Sequence, residues 1–419
     1  MTQPAVLTEL EWRGFVQQAT PGLAEHLAKG PVTAYCGFDP TAPSLQLGNL
    51  MPLMLLANLQ RHGHRPIVLM GGGTGLIGDP SGKRGERPLL SKEQIRDNLQ
   101  RQRDQMARFL EFGPGKTAAL VLDNAKWLAA QGVIDFLRDV GKHFTVNVML
   151  QKESVQARLE TGLSYTEFSY MLLQAYDFLH LYRERQCTLQ VGGSDQWGNI
   201  TAGCDLIRRV ENAEAHGLVA PLVTMASGQK FGKSETGAIY LDPELTSPYQ
   251  FRQFWVNVDD RDVEKYLKLF TLRSQAEIDA LLWRHRENPA ARAAQVELAT
   301  DVVQRVHGAD AAVATAQASA ILFTDVAITT GVSDETFAIL AKEIPTTTVA
   351  RGETVTLVDA IVRTGLVKSK SEARRAIEQG GIYVNQQRAQ EIRDADWVAG
   401  RNLLLRKGKK EYALLRRDG

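Results

Sequence analysis

A chain of 419 residues, 44% hydrophobic and 23% charged, is too long for one compact core and is expected to divide into two or three domains. No apolar run reaches the roughly 20 residues of a spanning helix, the N-terminal MTQPAVLTELEWRGF resembles no signal or transit peptide, and Cys36, Cys187 and Cys204 are too few and scattered for a disulfide framework or zinc site, so a reducing cytoplasm is expected and no metal centre. The net charge of +1 hides an asymmetry: residues 354 to 419 hold 14 Lys and Arg against 8 Asp and Glu, the remainder 35 against 40, so a basic tail suited to a polyanion follows a mildly acidic body.

Residues 1 to 30 carry helical spacing around Leu10, Trp12, Phe15 and Val16, then Leu23 and Leu27 after the Pro21-Gly22 break. The stretch YCGFDPTAPSLQLGNLMP, residues 35 to 52, predicts a strand ending in a polar turn that launches a helix. Asp39, Pro40, Thr41 and Pro43 break the strand, and Ser44 is placed to cap a helix over Leu45 to Leu59. Such a junction offers free backbone N–H groups and a positive dipole end to a phosphate, with Gln46 and Asn49 on one face.

A second strand over Pro66 to Met70 completes a βαβ unit and feeds the run Gly71 to Lys83. Gly73, Gly75 and Gly78 match a dinucleotide-binding spacing, but Asp79-Pro80-Ser81-Gly82 breaks the helix that motif requires. What remains is a glycine turn, Asp79 at a strand end, and the cations Lys83 and Arg87 on a polar loop. Helical spacing returns over Ser91 to Phe112, Leu120 to Leu122 reads as a third strand, and residues 132 to 160 are helical and connective. His143 has no second ligand at metal spacing.

From Tyr165 to Leu181 an apolar helix carries Tyr170, Gln174 and Asp177 along one face, a stripe that needs partners because an unpaired buried polar group costs roughly 1–3 kcal/mol. A small polar ligand would supply them, and the alternative is pairing within the core. Gln186 to Gly192 reads as a strand whose end presents Gly193, Ser194, Asp195 and Gln196 before a helix from Trp197 to Arg209, again the ligand crevice of an open α/β sheet. A last strand is expected near Leu222 to Met225. The loop SGQKFGKSETG, residues 227 to 237, then offers Lys230 and Lys233 to phosphates.

Ser247 and Pro248 start a helical region that runs to about Leu322; residues 325 to 353 read as an aperiodic linker. Helices at Leu357 to Arg363 and Ser369 to Ile377, and strands at Ile382 to Val384 and Asn402 to Arg406, make up the tail.

Together these residues resemble the bacterial-type tyrosyl-tRNA synthetases, a family of class I aminoacyl-tRNA synthetases. YCGFDPT with LGN resembles the first signature region, GDPSGK the second, YMLLQAYDF the substrate helix, VGGSDQWGNI the segment after it and KFGKS the family's KMSKS loop; the tail is similar to an S4 RNA-binding domain. The likeness spans nearly the whole chain in the right order. It implies an α/β, Rossmann-like parallel-sheet catalytic domain over residues 1 to 225, a KMSKS-type loop and connection over 226 to 246, an α-helical anticodon-arm domain over 247 to 325, a linker over 326 to 353 and a small α+β S4-like domain over 354 to 419.

The implied chemistry is activation of tyrosine by Mg²⁺-bound ATP and transfer to tRNA(Tyr), in a homodimer, without a permanently bound cofactor or covalent enzyme intermediate. By resemblance Tyr35 and Asp177 meet the substrate phenol; Asp79, Tyr170 and Gln174 its ammonium; Gln196 its carboxylate. Gln46 and Asn49 face the transferring phosphate, and Lys83, Arg87, Lys230 and Lys233 hold pyrophosphate. Cys36, Gly192 and Asp195 meet the ribose, and Gly37, Asp39, Thr41 and Gly48 complete the ATP site. Gln46 departs from the family pattern, which usually has His there. Two rivals are a non-catalytic RNA-binding relative, against which the full set of phosphate-binding residues argues, and a tryptophan-specific relative, which Tyr35 with Asp177 disfavours.

Overall fold

The computed structural model describes residues 3–81, 90–152, 155–156, 162–229, 231–234, 237–324 and 332–418. It packs as two compact units, residues 1–245 with 257–298, and residues 246–256 with 299–419.

The first unit is built on a six-stranded sheet: β1 (Gln18–Ala19), β2 (Thr33–Phe38), β3 (Arg65–Met70), β4 (Leu120–Asp123), β5 (Cys187–Gly193) and β6 (His216–Ala220). The order is β1-β6-β5-β2-β3-β4, parallel throughout except for the edge strand β1. Strands such as PIVLM and GLVA are apolar without alternation because both faces of a parallel sheet are covered. Helix Leu50–Arg61 is buried along most of its length. Helices Tyr165–Arg185 and Trp197–Glu211 close one face, where Met171, Ala175, Phe178, Ala202 and Leu206 pack on Tyr35, Ile67 and Leu69. Strand order reverses between β2 and β5, which opens a crevice at their C-terminal ends.

In the second unit, β9 (Thr346–Val349), β10 (Ile382–Val384), β11 (Gln387–Arg388), β12 (Asn402–Lys407) and β13 (Glu411–Arg417) form a sheet in the order β11-β10-β12-β13-β9. Period-2 alternation splits the side chains of β12 and β13 between two cores. Leu403, Leu405, Ala413 and Leu415 join Leu357, Ile361 and Ala373; Leu404, Tyr412 and Leu414 join Tyr249, Ala318, Phe337 and Leu340.

Four expectations are corrected. Ser44 caps no helix: its buried hydroxyl bonds the Leu45 carbonyl, a 3-10 turn covers Leu47–Asn49, and the helix begins only at Leu50. The strand expected near Leu222 to Met225 lies earlier, as β6, because Pro221 ends the run and Leu222 is exposed. Within the expected linker, Ser333 caps a helix over Asp334–Glu343 through the Thr336 N–H, and Thr346–Val349 pairs in parallel with β13. The expected helical domain is divided between the units. Part of the reason is Arg13, fully buried, which donates to the carbonyls of Lys268, Thr271 and Arg273 and so clamps the end of helix Asp260–Phe270 to the N-terminal helix Ala5–Arg13.

Helices Tyr165–Arg185 and Trp197–Glu211 approach closely at Gly203, where an added Cβ would fall 2.9 Å from Phe178 Cδ1. Phe178 in turn meets Tyr35 edge to face, centroids 5.2 Å apart. Gly203→Ala should therefore overpack this contact and destabilise the fold by about 1–3 kcal/mol. The check is the urea midpoint of the variant against that of the wild-type chain.

Candidate functional site

The crevice between β2 and β5 holds a cavity of about 320 Å³, within the range of small-molecule sites. Its wall comes from four places: the end of β2 and its turn (Tyr35 to Asp39, Thr41), the segment Gly48 to Pro52, helix Tyr165–Arg185 (Tyr170, Gln174, Asp177), and the end of β5 with its turn (Gln190 to Gly193, Asp195, Gln196). Asp79, Thr74 and Asn124 complete it.

The structure thus brings together Tyr35, Cys36, Gly37, Asp39, Thr41, Gly48, Asn49, Asp79, Tyr170, Gln174, Asp177, Gly192, Asp195 and Gln196. Gln46 is not among the lining residues. Its side chain is exposed, its N–H bonds Asn49 Oδ1 at 2.9 Å, and its backbone bridges Tyr240. Lys233 is likewise exposed, on the short strand β7 (Lys233–Ser234), which pairs with β8 (Gly237–Ala238). Lys83, Arg87 and Lys230 lie outside the described residues.

Asp177 organises the inner end. It is 2% exposed, and its carboxylate accepts from Asn124 Nδ2 at 2.9 Å and Trp127 Nε1 at 2.7 Å. Burial raises its pKa to about 7 against the pull of these two donors. Nearby, the Tyr35 hydroxyl is fully buried with no hydrogen-bond partner among the described residues, and burial followed by the Asp177 charge holds its pKa well above the ordinary phenol value. Gln190 faces Tyr35 in the register of β5 on β2, and its amide oxygen is equally unpartnered.

A second group lies farther along the stripe. The Tyr170 hydroxyl donates to Asp39 Oδ2 at 2.9 Å, which leaves its oxygen free to accept from a cation. Asp79 accepts from the Ser81 N–H at 2.8 Å and from Gln196 Nε2 at 2.7 Å, while Asn199 Nδ2 donates to Gln174 Oε1 at 3.1 Å. A Cβ on Gly71 would fall on the Asp39 carboxylate, so the glycine turn is what lets the chain pass this close. Burial and then the Asp195 charge push the Cys36 thiol up to about 12, which leaves it a neutral wall group and no nucleophile.

Sequence reasoning missed Asn124, Trp127, Gln190 and Asn199. Gln190 leaves a trace, as the one amide in the apolar strand CTLQVGG; Asn124 and Trp127 reach Asp177 from the short helix Ala125–Leu128 and the residue that precedes it, and no spacing announces that.

Comparison with known proteins gives a consistent result. The family model described as "tRNA synthetases class I (W and Y)" matches residues 27–324, and one described as the "Tyrosine--tRNA ligase SYY-like C-terminal domain" matches residues 336–415. A tyrosine–tRNA ligase of Roseiflexus castenholzii is 51% identical over 98% of this chain and 99% of its own. One from Geobacillus stearothermophilus is 50% identical at the same coverage. Among solved structures, a C-terminally truncated Aspergillus nidulans mitochondrial tyrosyl-tRNA synthetase superposes with a TM-score of 0.70 at 29% identity, over 76% of this chain and 94% of that one.

The raised Asp177 pKa has a consequence for stability. Between its ordinary value of 3.8 and about 7, the folded chain holds a proton that the unfolded chain has released, so stability falls as pH rises through that window and stays low above it. At about 1.4 kcal/mol per pH unit the whole effect is at most ~4 kcal/mol. Asp177→Asn removes it. The advantage of the Asn variant in urea unfolding should grow from pH 4 to 7 and then level off; a difference independent of pH would place the ionisation elsewhere.

Proposed function

The chain belongs to the class I tRNA synthetases of the tryptophan and tyrosine type, and from that premise we propose that it activates tyrosine with ATP and transfers it to tRNA(Tyr). The observation that carries the amino-acid choice is the pair Tyr35 and Asp177, one a buried hydroxyl without a partner and the other a buried carboxylate. A substrate phenol completes both, whereas a bare phenyl ring leaves them unpaired at a cost of roughly 1–3 kcal/mol or more. Indole carries its N–H on a larger ring system and does not present a hydroxyl there.

At the other end of the amino acid, the ammonium meets the Asp79 carboxylate, the Tyr170 oxygen and Gln174, with Gln196 toward the carboxylate. ATP, entering as its Mg²⁺ complex, lies along Gly37, Asp39, Thr41 and Gly48, with its ribose at Cys36, Gly192 and Asp195. The tyrosine carboxylate oxygen attacks the α-phosphorus, the bond to the bridging oxygen breaks, and pyrophosphate leaves. A terminal tRNA hydroxyl then attacks the carbonyl and releases AMP. Positioning and charge stabilisation supply the rate. Asn49, which lines the cavity, takes the larger share at the transferring phosphate and Gln46 the smaller. Lys83, Arg87, Lys230 and Lys233 are assigned to pyrophosphate.

The basic tail with its S4-like α+β sheet suits the tRNA polyanion. Three unpaired thiols suit a reducing cytoplasm, and among the described residues no helix is long and apolar enough to cross a membrane. A homodimer is supported by apolar residues exposed over a short span: Val133, Ile134 and Leu137 on helix Val133–Asp139, then Val146, Val148 and Tyr165.

Tyrosine-dependent exchange of pyrophosphate into ATP tests the activity. Wild-type chain should exchange with tyrosine and not with phenylalanine or tryptophan, and Asp177→Ala should lower kcat/KM for tyrosine at least ~10-fold with ATP KM little changed. Unchanged tyrosine kinetics would remove Asp177 from the phenol site. For assembly, Ile134→Asp should shift the chain from dimer to monomer in sedimentation; a wild-type monomer at micromolar concentration would refute the dimer.

A further inference from the structure

The Trp127 indole, one of the two donors to Asp177, stands on a weak support. Helix Ala125–Leu128 has 4 residues and none of them is fully buried, so neither length nor burial of its own fixes where the indole lies. Its position is set from helix Tyr165–Arg185, which carries Asp177 itself. There the imidazole of His180 stacks on the indole, centroids 4.2 Å apart and planes at 19°. One turn earlier, the Tyr176 hydroxyl donates to Gln131 Oε1 at 3.0 Å, and the Tyr176 ring meets Phe136 edge to face with its centroid 6.4 Å from that of His180.

Asp177 and His180 stand at i and i+3, neighbours on one helical face. Trp127 spans the two of them. Its ring face rests on the imidazole, while its Nε1–H, which lies in the ring plane, reaches Asp177 Oδ1 at 2.7 Å. An indole that turns or slides off the imidazole therefore carries its N–H away from the carboxylate, and a hydrogen bond weakens steeply once it is bent. Burial first, then the charges of Arg185 and Arg183, lowers the His180 pKa against the opposing pull of Glu184, so at neutral pH the ring is an uncharged plane and places no second charge beside Asp177. Neither Trp127 nor His180 lines the cavity.

We propose that His180 is a positioning residue for tyrosine recognition: its ring is the platform that holds the Trp127 N–H on Asp177, and through that bond it sets the carboxylate that meets the substrate phenol. This rests on the activity proposed above. A side chain that prearranges an acceptor spares the substrate the cost of arranging it on binding. The phenol keeps its bond to Asp177 in the ground state and in the transition state alike, and binding of that uniform kind appears in KM and not in kcat. His180 should therefore act on tyrosine KM, with ATP KM and turnover left as they are.

The test is tyrosine-dependent pyrophosphate exchange by the full chain, with His180→Ala, His180→Phe, Trp127→Phe and the double variant Trp127→Phe/His180→Ala. Alanine at 180 should raise tyrosine KM ~3- to 10-fold, the size an aromatic pair can control, with ATP KM and kcat within about twofold of wild type. Phenylalanine at 180 restores a flat face and should bring tyrosine KM back to within about twofold of wild type. Trp127→Phe keeps a ring for the stack but has no N–H, so it should raise tyrosine KM by itself, and adding His180→Ala to it should move KM by less than about twofold more. An unfolded fraction lowers the apparent kcat and leaves KM where it was, which tells a merely unstable variant from a misplaced donor. Tyrosine KM of His180→Ala within about twofold of wild type would overturn the proposal. So would phenylalanine as impaired as alanine, or effects of the two positions that multiply in the double variant. A wild-type chain that gives no exchange at all would overturn the activity itself and this inference with it, a result distinct from a silent substitution in an active enzyme.

Discussion

A carboxylate buried between a helix and a sheet sets the terms for the inner end of the cleft. Asp177 sits on helix Tyr165–Arg185 with almost no access to water, and a charge in that position is tolerated only with donors around it. Asn124 and Trp127 provide two, from the short helix Ala125–Leu128 that follows β4 and the residue before it. Asn124 is itself held from both sides: its Oδ1 accepts from the Gly73 N–H at 2.8 Å and its Nδ2 also reaches Thr74 Oγ1 at 3.0 Å. Thr74 passes the connection on, donating to Asp39 Oδ1 at 2.8 Å, and Asp39 receives the Tyr170 hydroxyl. One hydrogen-bonded chain therefore runs along the cavity from Asp177 through Asn124, Thr74 and Asp39 to Tyr170. A change at either end is felt at the other, because each member's orientation is set by its neighbour's donor or acceptor.

The charge of this cavity divides the labour between scaffold and loops. Its described lining carries Asp39, Asp79, Asp177 and Asp195 and no Lys or Arg. Such a surface attracts an ammonium and accepts from sugar hydroxyls, but it repels a triphosphate. The cations proposed for the phosphates all lie on other segments, Lys83 and Arg87 after the glycine turn, Lys230 and Lys233 after β6.

Much of the sheet and most of the site were legible in the sequence, for a physical reason. Parallel strands buried on both faces leave unbroken apolar runs, and the polar groups crowding their C-terminal ends, Asp39, Asp195 and Gln196, interrupt that texture visibly. The stripe Tyr170, Gln174 and Asp177 shows because helical spacing repeats. Other features depend on partners distant in the chain. β1 is two residues long and exists only because β6 accepts its pairing; the Thr-rich strand β9 has no apolar alternation and is defined by β13. Arg13 reads as a surface cation until three carbonyls some 255 to 260 residues away enclose it. Trp127 is the same kind of case, an aromatic whose role is its one N–H.

Gln46 shows how a departure from a sequence pattern is absorbed. The backbone at this position is committed on both sides: its N–H goes to Asn49 Oδ1, the Leu47 N–H bonds the Ile239 carbonyl, and the Leu241 N–H bonds the Leu45 carbonyl at 2.9 Å. This short antiparallel pairing fixes where Gly48 and Asn49 face the cavity. The Gln46 side chain points into solvent, where an imidazole and a carboxamide are equally well hydrated. What the junction requires of residue 46 is an extended backbone, φ −105° and ψ 166°, and any residue other than proline meets it while keeping the N–H that Asn49 needs. The segment is therefore constrained more tightly at Asn49, which serves both the turn and the cavity, than at Gln46.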